Sequence, residues 1–200
     1  MTLNILIAGA TGKTGRILTQ QVVDQGHNVT ALVRESSDTS HLPEGTHLRQ
    51  ADLTDLQSGV CDGADVVIFA AGSGGSTGPE MTDKVDRDGA IRLVDLAEES
   101  GADRFVMLST IGADQANPTG DLAHYLKAKH DADEHLKASS LTHAILRPVS
   151  LTDDGRSADV ILGSEVDTSA KASRTDVAQV LATAATTGNL DGKALNMQSA

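Results

Sequence analysis

Short apolar runs alternate along this chain with longer segments in which apolar residues recur at helical spacing. The short runs are rich in Val, Ile, Leu and Ala, which is typical of strands that are buried on both faces. Predicted strands cover Asn4–Ala8, Val29–Val33, Val66–Ala70, Arg104–Leu108 and Ala144–Leu146. Predicted helices cover Lys13–Gln25, Lys84–Ser100 and Asp121–Ser139. Strands and helices that alternate in this way form right-handed crossovers, so the pattern predicts a parallel sheet with helices on both faces.

The C-terminal part of the chain departs from this alternation. From about Leu151 it is rich in loop-forming residues and predicts one helix, Thr175–Thr186, and one strand, Ala194–Met197. A short additional strand near Thr46–Arg49 is expected to join the main sheet. No repeat and no linker to a second domain is visible, so residues 1–200 predict a single domain. The predicted fold class is α/β, a doubly wound parallel sheet with a small C-terminal elaboration at one edge.

A glycine-rich segment, Gly-Ala-Thr-Gly-Lys-Thr-Gly-Arg, connects the first predicted strand to the first predicted helix. Gly9 permits a tight turn, Gly12 lets the backbone approach a pyrophosphate, and Gly15 lets the helix pack closely on its strand. The helix N-terminus adds unpaired N–H groups and a positive dipole end. This context predicts a dinucleotide site, and the alternative is a strand–helix turn without a ligand. The candidate residues of this turn are Gly9, Thr11, Gly12, Lys13, Thr14, Gly15 and Arg16.

The end of the second predicted strand indicates which dinucleotide binds. NAD sites commonly place an acid there to hold the ribose 2′-hydroxyl, whereas this strand ends with Arg34. A guanidinium can form a forked, charge-assisted contact with a 2′-phosphate, and Arg16 could assist from the first turn. The pattern therefore favours NADP(H) over NAD(H) as the cofactor. Glu35 could weaken this preference, and an ordinary surface arginine is the alternative interpretation of Arg34.

The ends of the third and fourth predicted strands supply further candidates, because open α/β sheets bind ligands at their carboxyl edge. Asp52 and Leu53 follow the third strand, where a side chain could contact the adenine. A helix N-cap at Asp52 is an equally good interpretation. Residues 70–75, Ala-Ala-Gly-Ser-Gly-Gly, follow the fourth strand and predict a flexible backbone surface beside the cofactor, with Ala70, Ala71 and Gly72 as candidate binding residues.

Composition narrows the possible functions. The chain has 16 Lys and Arg residues against 28 Asp and Glu residues, and its net charge of −12 would repel a nucleic acid at long range. One Tyr, two Phe and no Trp argue against a platform for stacked nucleobases. The histidines lack the spacing that is typical of metal ligands, so no metal site is predicted.

The cysteine and the N-terminal residues bear on the compartment in which the protein acts. Cys61 is the single cysteine, which excludes an internal disulfide, and with Asp62 beside it the thiol is expected to be inert. The first residues lack the basic region of a signal peptide, and no apolar run approaches the ~18 residues of a membrane span. We therefore expect a soluble, cytoplasmic protein that does not bind membranes.

A set of short motifs, distributed over nearly the whole chain, carries a family resemblance. The motifs are the glycine segment, Ala-Asp-Leu-Thr-Asp, Val-Asp-Arg-Asp-Gly-Ala-Ile, Arg-Phe-Val-Met-Leu-Ser-Thr, Leu-Arg-Pro and Ser-Arg-Thr-Asp-Val-Ala. They resemble the atypical short-chain dehydrogenase/reductases, and most of all the single-domain NAD(P)H-binding members related to NmrA-like proteins and to flavin/biliverdin reductases. The resemblance implies a Rossmann-like fold and an NAD(P)H cofactor, and it leaves the substrate open.

Members of the larger family with a full active site use a Tyr-x-x-x-Lys pair, an upstream Ser or Thr, and an Asn. By resemblance, Tyr125 and Lys129 match the pair, and Ser109 or Thr110 matches the upstream hydroxyl. Asp86 stands where the family commonly has the Asn, a departure that bears on the usual proton relay. The resemblance implies that Lys129 binds the nicotinamide ribose and favours ionisation of Tyr125, which donates a proton to the substrate carbonyl oxygen.

Helical geometry places two of these charged residues on apolar faces. Lys129 falls within an apolar stripe of the helix at Asp121–Ser139, and Asp86 falls on the apolar face of Lys84–Ser100. Because an unpaired buried charge is costly, the two side chains could meet at the cofactor edge of the sheet. The alternatives are a structural Lys–Asp pair and a lysine whose ammonium reaches solvent. The stripe around Lys129 comprises Leu122, Leu126, Ala132 and Leu136.

Three functions fit these observations. The first is an NADPH-dependent reductase of a small carbonyl, quinone or flavin-like acceptor. The second is a non-catalytic NADP(H)-binding sensor that passes its redox state to a protein partner, an option that the departure at Asp86 favours. The third is an epimerase or dehydratase of sugar nucleotides, although related epimerases carry a larger C-terminal substrate region. The charged outer face of Asp121–Ser139 favours a monomer over a helix-bundle dimer.

Overall fold

A computed structural model describes residues 1–75, 77–157 and 159–200 of the chain. Its strands are β1 (Asn4–Ala8), β2 (Asn28–Val33), β3 (His47–Gln50), β4 (Val66–Phe69), β5 (Arg104–Leu108), β6 (Thr142–Pro148), β7 (Ser150–Thr152), β8 (Val160–Leu162), β9 (Lys171–Ser173) and β10 (Lys193–Ser199). Its helices are α1 (Lys13–Asp24), α2 (Pro79–Met81), α3 (Ala90–Glu99), α4 (Ala123–Ala138) and α5 (Arg174–Thr187). Residues Thr82–Gly89 form a π-helical segment between α2 and α3.

Within the described residues, eight strands form one sheet in the order β3-β2-β1-β4-β5-β6-β10-β8. Neighbouring strands are parallel except for β10 and β8, which are antiparallel. The chain builds outward from β1 to β3 and then returns to the other side of β1 with β4. This topology confirms the predicted doubly wound sheet, and it opens a crevice at the carboxyl edge between β1 and β4.

Helices cover both faces of the sheet, as the alternating pattern predicts. Leu18 of α1 and Leu181 of α5 belong to the core on one face. Leu93 of α3 and Leu136 of α4 belong to the core on the other face, together with Phe69 of β4. These side chains are fully buried, so each helix contributes one apolar stripe to a largely aliphatic core.

The structure corrects the predicted helix at Lys84–Ser100. The helical stretch begins at Pro79 and passes through the π-helical segment before α3 begins at Ala90. At the junction, a Cβ added to Gly89 would lie 2.6 Å from the carbonyl oxygen of Leu53, so the helix approaches the loop after β3 very closely. A π-helical stretch changes the number of residues per turn, which the apolar spacing of the sequence does not reveal.

The predicted helix at Asp121–Ser139 is shorter in the structure. Gly120 has a φ of +86° and Leu122 has a non-helical backbone, so α4 begins at Ala123. Leu122 is 63% exposed, and its predicted place in the apolar stripe is wrong. The other predicted elements differ from the structure by at most two residues at either end.

The tail of the chain extends one edge of the sheet. β10 pairs with β6 and β8 pairs with β10, while β7 and β9 form a separate two-stranded sheet. β7, β8 and β9 occupy a region in which the sequence predicted loops. α5 begins at the N-cap Ser173, whose hydroxyl oxygen accepts from the Thr175 N–H, and it ends at Gly188 with a φ of +72°.

Cys61 lies in the loop between β3 and β4 and is fully buried. Burial raises the pKa of its thiol to about 12, which leaves almost no thiolate at neutral pH. We expect Cys61 to resist alkylating reagents in the folded protein and to react when denaturant unfolds the chain. Mass spectrometry after alkylation with and without denaturant checks this, and rapid stoichiometric labelling of the folded protein would contradict it.

Candidate functional site

The turn between β1 and α1 brings glycines into close backbone contact. Gly9 has a φ of +88°, and a Cβ added there would lie 2.6 Å from the nitrogen of Ala71. A Cβ added to Gly15 would lie 1.9 Å from the carbonyl oxygen of Gly9, well inside van der Waals contact. The turn therefore needs glycine at both positions for steric reasons alone.

Replacement of Gly15 by Ala is expected to destabilise the protein, because the new methyl group overlaps a backbone carbonyl that cannot easily move. We expect the free energy of unfolding to fall by about 2 kcal/mol or more, as measured by urea denaturation. Gly155→Ala is the matched control, since a Cβ added there meets no atom within 4 Å. Equal stability of the two variants would contradict the close approach between Gly9 and Gly15.

The N-terminus of α1 faces the same turn. Gly12 is the N-cap and supplies no side-chain cap, so the N–H groups of the first turn have no acceptor within the helix. The Gly12 N–H donates to the Gly9 carbonyl oxygen at 3.0 Å, which closes the turn. An anion at this helix end would accept hydrogen bonds and interact favourably with the helix dipole.

A cleft of about 560 Å³ lies at the carboxyl ends of β1, β2, β3 and β4. Its volume falls within the roughly 300–1,000 Å³ that is typical of small-molecule sites. It occupies the crevice at which the strand order reverses, where open α/β sheets bind ligands. The wall includes the predicted candidates Gly9, Thr11, Gly12, Arg34, Asp52, Leu53, Ala70, Ala71 and Gly72. It also includes Ser73 of the predicted flexible surface, and residues that the sequence did not single out, among them Leu32, Ser37, Met81, Lys84 and Val85.

Arg34 and Asp52 bring opposite charges to the wall of this cleft. The Arg34 N–H donates to the Ser37 hydroxyl oxygen at 3.0 Å, which holds a tight turn at the end of β2. Asp52 accepts hydrogen bonds from the N–H and the hydroxyl of Thr54 at 2.9 and 2.8 Å. These bonds, with a smaller effect of Arg34, lower the pKa of Asp52. The alternative of a helix N-cap at Asp52 is wrong, because a turn follows this residue.

The other predicted residues of the first turn lie outside the cleft wall. The Lys13 ammonium pairs with Asp153 at 2.6 Å, and it is thereby directed towards the loop after β7. Arg16 is exposed on α1, while Thr14 and Gly15 are buried. The backbone of this turn therefore lines the cleft, whereas the side chains of Lys13 and Arg16 do not.

Two buried charges meet next to the cleft wall. The Nζ atom of Lys129 lies 3.4 Å from Oδ1 of Asp86, and the two side chains are 4% and 1% exposed. The Lys129 ammonium also donates to the Leu108 carbonyl oxygen at 3.2 Å, and it lies 5.6 Å from the centre of the Phe69 ring. The contact that helical geometry suggested between the two charges is present in the structure.

The surroundings of Lys129 keep it charged. Burial by itself would lower the pKa of the ammonium, but the neighbouring Tyr125, Asp86 and Asp133 outweigh burial and raise the pKa. Lys129 is therefore a cation at neutral pH. Tyr125 lies one turn before Lys129 on α4 and is half-buried, and it is among the neighbours that raise the pKa of Lys129.

Ser109 and Thr110 differ in what their hydroxyl groups can do. Ser109 is buried at the end of β5, and its Oγ donates to Oδ2 of Asp133 at 2.9 Å. That bond uses the hydroxyl proton of Ser109. Thr110 is partly exposed, and its side chain forms no hydrogen bond to the described residues. Of the two candidates, Thr110 is therefore the one whose hydroxyl proton is not used by a hydrogen bond to the described residues.

A second buried ion pair, which sequence reasoning missed, holds Ser109 in place. Nε of Arg147 on β6 donates to Oδ2 of Asp133 at 2.9 Å, and both side chains are buried. Burial raises the pKa of Asp133, although Arg147 and Ser109 oppose this effect. Asp133 lies one turn after Lys129, and Arg147 directly follows the apolar run Ala144–Leu146 of β6. The positions of these two charged residues in the sequence were the signals from which the ion pair could have been predicted.

Histidines of α4 join this helix to the neighbouring helical stretch. His124 lies 3.0 Å from Asp83 of the π-helical segment, and His135 lies 2.7 Å from Asp95 of α3. In residues 1–75, 77–157 and 159–200, no group of three or more His, Cys, Asp or Glu side chains could hold a metal ion. The helices of these ranges include none that is long and apolar enough to span a membrane.

A doubly wound sheet, a glycine turn before a helix N-terminus, and a cleft at the point of reversed strand order define a dinucleotide-binding domain of the Rossmann type. The chain belongs to the NAD(P)H-binding family, whose model matches residues 9–187. This membership confirms the NAD(P)H-binding family that the resemblance implied.

Similar proteins cover almost the full length of the chain. A Bacillus subtilis protein, described as an uncharacterized sugar epimerase, is 32% identical over 98% of this chain and 94% of its own length. A structure from Bacillus halodurans, provisionally described as an NAD-dependent epimerase/dehydratase, is 33% identical with a TM-score of 0.91 over 99% of this chain and 94% of that one. The oxidoreductase ylbE from Lactococcus lactis is 27% identical with a TM-score of 0.84 over 99% and 91%. Oxidoreductase-like and epimerase-like proteins therefore both share this fold and length.

Proposed function

We propose that this protein is an NADP(H)-dependent oxidoreductase that reduces a small carbonyl, quinone or flavin-like acceptor. Binding of NAD(P)H follows from the family, whereas the preference for NADP(H) and the reaction are the proposal. The observation that carries the preference is the position of Arg34 in the cleft wall at the end of β2. An acid at this position would repel a 2′-phosphate, and a guanidinium can bind it with paired hydrogen bonds.

The residues of the cleft fit a dinucleotide. Gly9 has no room for a side chain, and the absence of a side chain at Gly12 leaves the first-turn N–H groups of α1 open to the approach of a pyrophosphate. Leu32 and Leu53 supply apolar wall for an adenine, and Arg34 stands where the adenosine ribose would carry its phosphate. When bound, the cofactor supplies a hydride for the reduction.

The chain itself supplies the proton chemistry of the proposed reaction. Tyr125 donates its phenolic proton to the oxygen of the acceptor, and the adjacent Lys129 cation stabilises the phenolate that remains. Thr110 donates a hydrogen bond to the same oxygen. Ser109 is held by Asp133 and keeps the end of β5 in place. The Asp86 carboxylate is the counter-ion of the Lys129 ammonium in this arrangement.

A non-catalytic sensor is the second candidate, and one observation favours it. Lys129 and Asp86 are almost fully buried against each other, as in a structural ion pair. In that case the protein would bind NADP(H) and report the redox state to a protein partner. An NAD(P)-dependent epimerase or dehydratase is the third candidate, which the name of the Bacillus subtilis relative supports.

We further propose that the protein acts in the cytoplasm as a monomer. A single buried cysteine suits a reducing compartment. The outer face of α4 carries the ion pairs Lys127–Asp131 and Lys137–Glu134, and such a face does not favour a helix–helix dimer interface.

A screen of NADPH oxidation against aldehydes, ketones, quinones and flavins tests the proposed reaction. Turnover with one of these acceptors supports the reductase. Tight NADPH binding without turnover across the whole screen favours the sensor, and turnover of a sugar nucleotide without net NADPH oxidation favours the epimerase.

A further inference from the structure

The contact between Lys129 and Asp86 is long for a buried ion pair. Charge-assisted N–H···O bonds commonly span about 2.7–2.9 Å, whereas Nζ of Lys129 lies 3.4 Å from Asp86 and 3.2 Å from the Leu108 carbonyl oxygen. The ammonium has three donors, and both of these acceptors hold it loosely. A further oxygen acceptor that came close to Lys129 could therefore draw the ammonium away from Asp86.

Asp86 keeps another partner if the lysine moves. Its Oδ2 accepts from the Ser73 N–H at 2.9 Å, and Ser73 belongs to the wall of the cleft. The Asp86 carboxylate also packs against Gly72, where an added Cβ would lie 3.2 Å from Oδ1. Asp86 thus connects Gly72 and Ser73 of the cleft wall with the π-helical segment and with Lys129 of α4.

We propose that Asp86 is an affinity-determining residue whose carboxylate competes with the ribose hydroxyls of NADP(H) for the Lys129 ammonium, and so weakens cofactor binding. The proposal rests on the proposed function, since it requires that NADP(H) binds in this cleft. An amide at position 86 would still accept the Ser73 N–H but would attract the ammonium much less, because it carries no charge. The charge of Asp86 therefore determines how strongly the Lys129 ammonium binds the ribose hydroxyls of the cofactor.

The test is a double-mutant cycle that measures the dissociation constant of NADPH. We expect Asp86→Asn to bind NADPH about threefold more tightly than the wild type, or better. In the background of Lys129→Gln the same substitution should change the dissociation constant very little, because the group for which Asp86 competes is gone. Asp88→Asn removes the same charge from the exposed face of the π-helical segment and controls for general repulsion of the anionic cofactor.

Stability must be followed in parallel, because Asp86→Asn leaves a buried ammonium with a weaker partner. We expect each single variant to unfold at a lower urea concentration than the wild type and the double variant to recover most of this loss. A second measurement needs only the wild type: the ¹⁵N resonance of the Lys129 ammonium should shift when NADP⁺ saturates the protein. That signal tests the competition even where Asp86→Asn fails to fold.

Distinct results separate the failure of this proposal from the failure of the proposed function. A wild type that does not bind NADPH overturns both. Tight NADPH binding that is unchanged or weakened in a folded Asp86→Asn variant overturns the competition alone. The same holds if Asp88→Asn tightens binding equally, if the effect persists with Lys129→Gln, or if saturation leaves the Lys129 resonance unmoved.

Discussion

Tyr125→Phe is expected to lower the turnover of NADPH-dependent reduction about 100-fold or more, while the affinity for NADPH stays nearly unchanged. The substitution removes only the phenolic hydroxyl and keeps the ring that is half-buried on α4. A general acid acts in the transition state and adds little to binding of the ground state, so the loss should appear in kcat rather than in KM. Steady-state kinetics with an acceptor from the screen measures both constants.

His124→Gln is a matched control for this variant. His124 is the neighbour of Tyr125 on α4, and it contacts Asp83 rather than Lys129. We expect its turnover to stay close to that of the wild type. Unchanged turnover in Tyr125→Phe would remove Tyr125 from the mechanism, and an equal loss in both variants would indicate a general disturbance of α4.

Arg34→Ala is expected to weaken NADPH binding roughly 10- to 100-fold and to leave NADH binding nearly constant. A hydrogen-bonded contact between a guanidinium and a phosphate contributes about 1.5–3 kcal/mol, which corresponds to this range of dissociation constants. Arg34 is exposed, and its backbone holds the turn to Ser37 through the N–H group, which Ala retains. The fold of the variant should therefore be intact. Fluorescence titration of both nucleotides against both proteins gives the four constants.

Arg92→Ala controls for the loss of a positive charge. Arg92 lies on α3 and pairs with Glu99 at the surface, so its removal changes the net charge by the same amount as Arg34→Ala. We expect it to leave NADPH affinity nearly unchanged. If Arg34→Ala weakens NADPH and NADH equally, Arg34 contacts a part of the cofactor that the two nucleotides share, and the assignment to the 2′-phosphate fails.

Much of the fold could be predicted because the strands of a parallel sheet are buried on both faces. Each strand is then a short apolar run between glycines and polar residues, as at Asn4–Ala8, and a helix must follow to reach the next parallel strand. The π-helical segment at Thr82–Gly89 escaped this reasoning, since a pattern of apolar residues does not distinguish π-helical from α-helical turns over eight residues. Leu122 was misplaced because Gly120 breaks the helix before it.

In the candidate site, contacts that follow from local helical geometry could be predicted, whereas contacts between residues far apart in the chain could not. The contact between Lys129 and Asp86 could be predicted from the sequence, because helical geometry alone puts each charge on an apolar face. The partner of Lys13 is Asp153, which lies 140 residues away in the chain, and only the folded tail brings it near. Arg147 directly follows the apolar residues Ala144–Leu146 of β6, and its pairing with Asp133 depends on how α4 packs against β6.

The most direct test of the proposed cofactor is a calorimetric titration of the wild-type chain with NADPH and with NADH at one salt concentration. We predict that both bind at one site and that the dissociation constant for NADPH is lower by at least about tenfold. We also predict that the difference narrows as salt is raised, because the 2′-phosphate would lie near the exposed Arg34. Equal dissociation constants for the two nucleotides, or tighter binding of NADH, would contradict the preference for NADP(H).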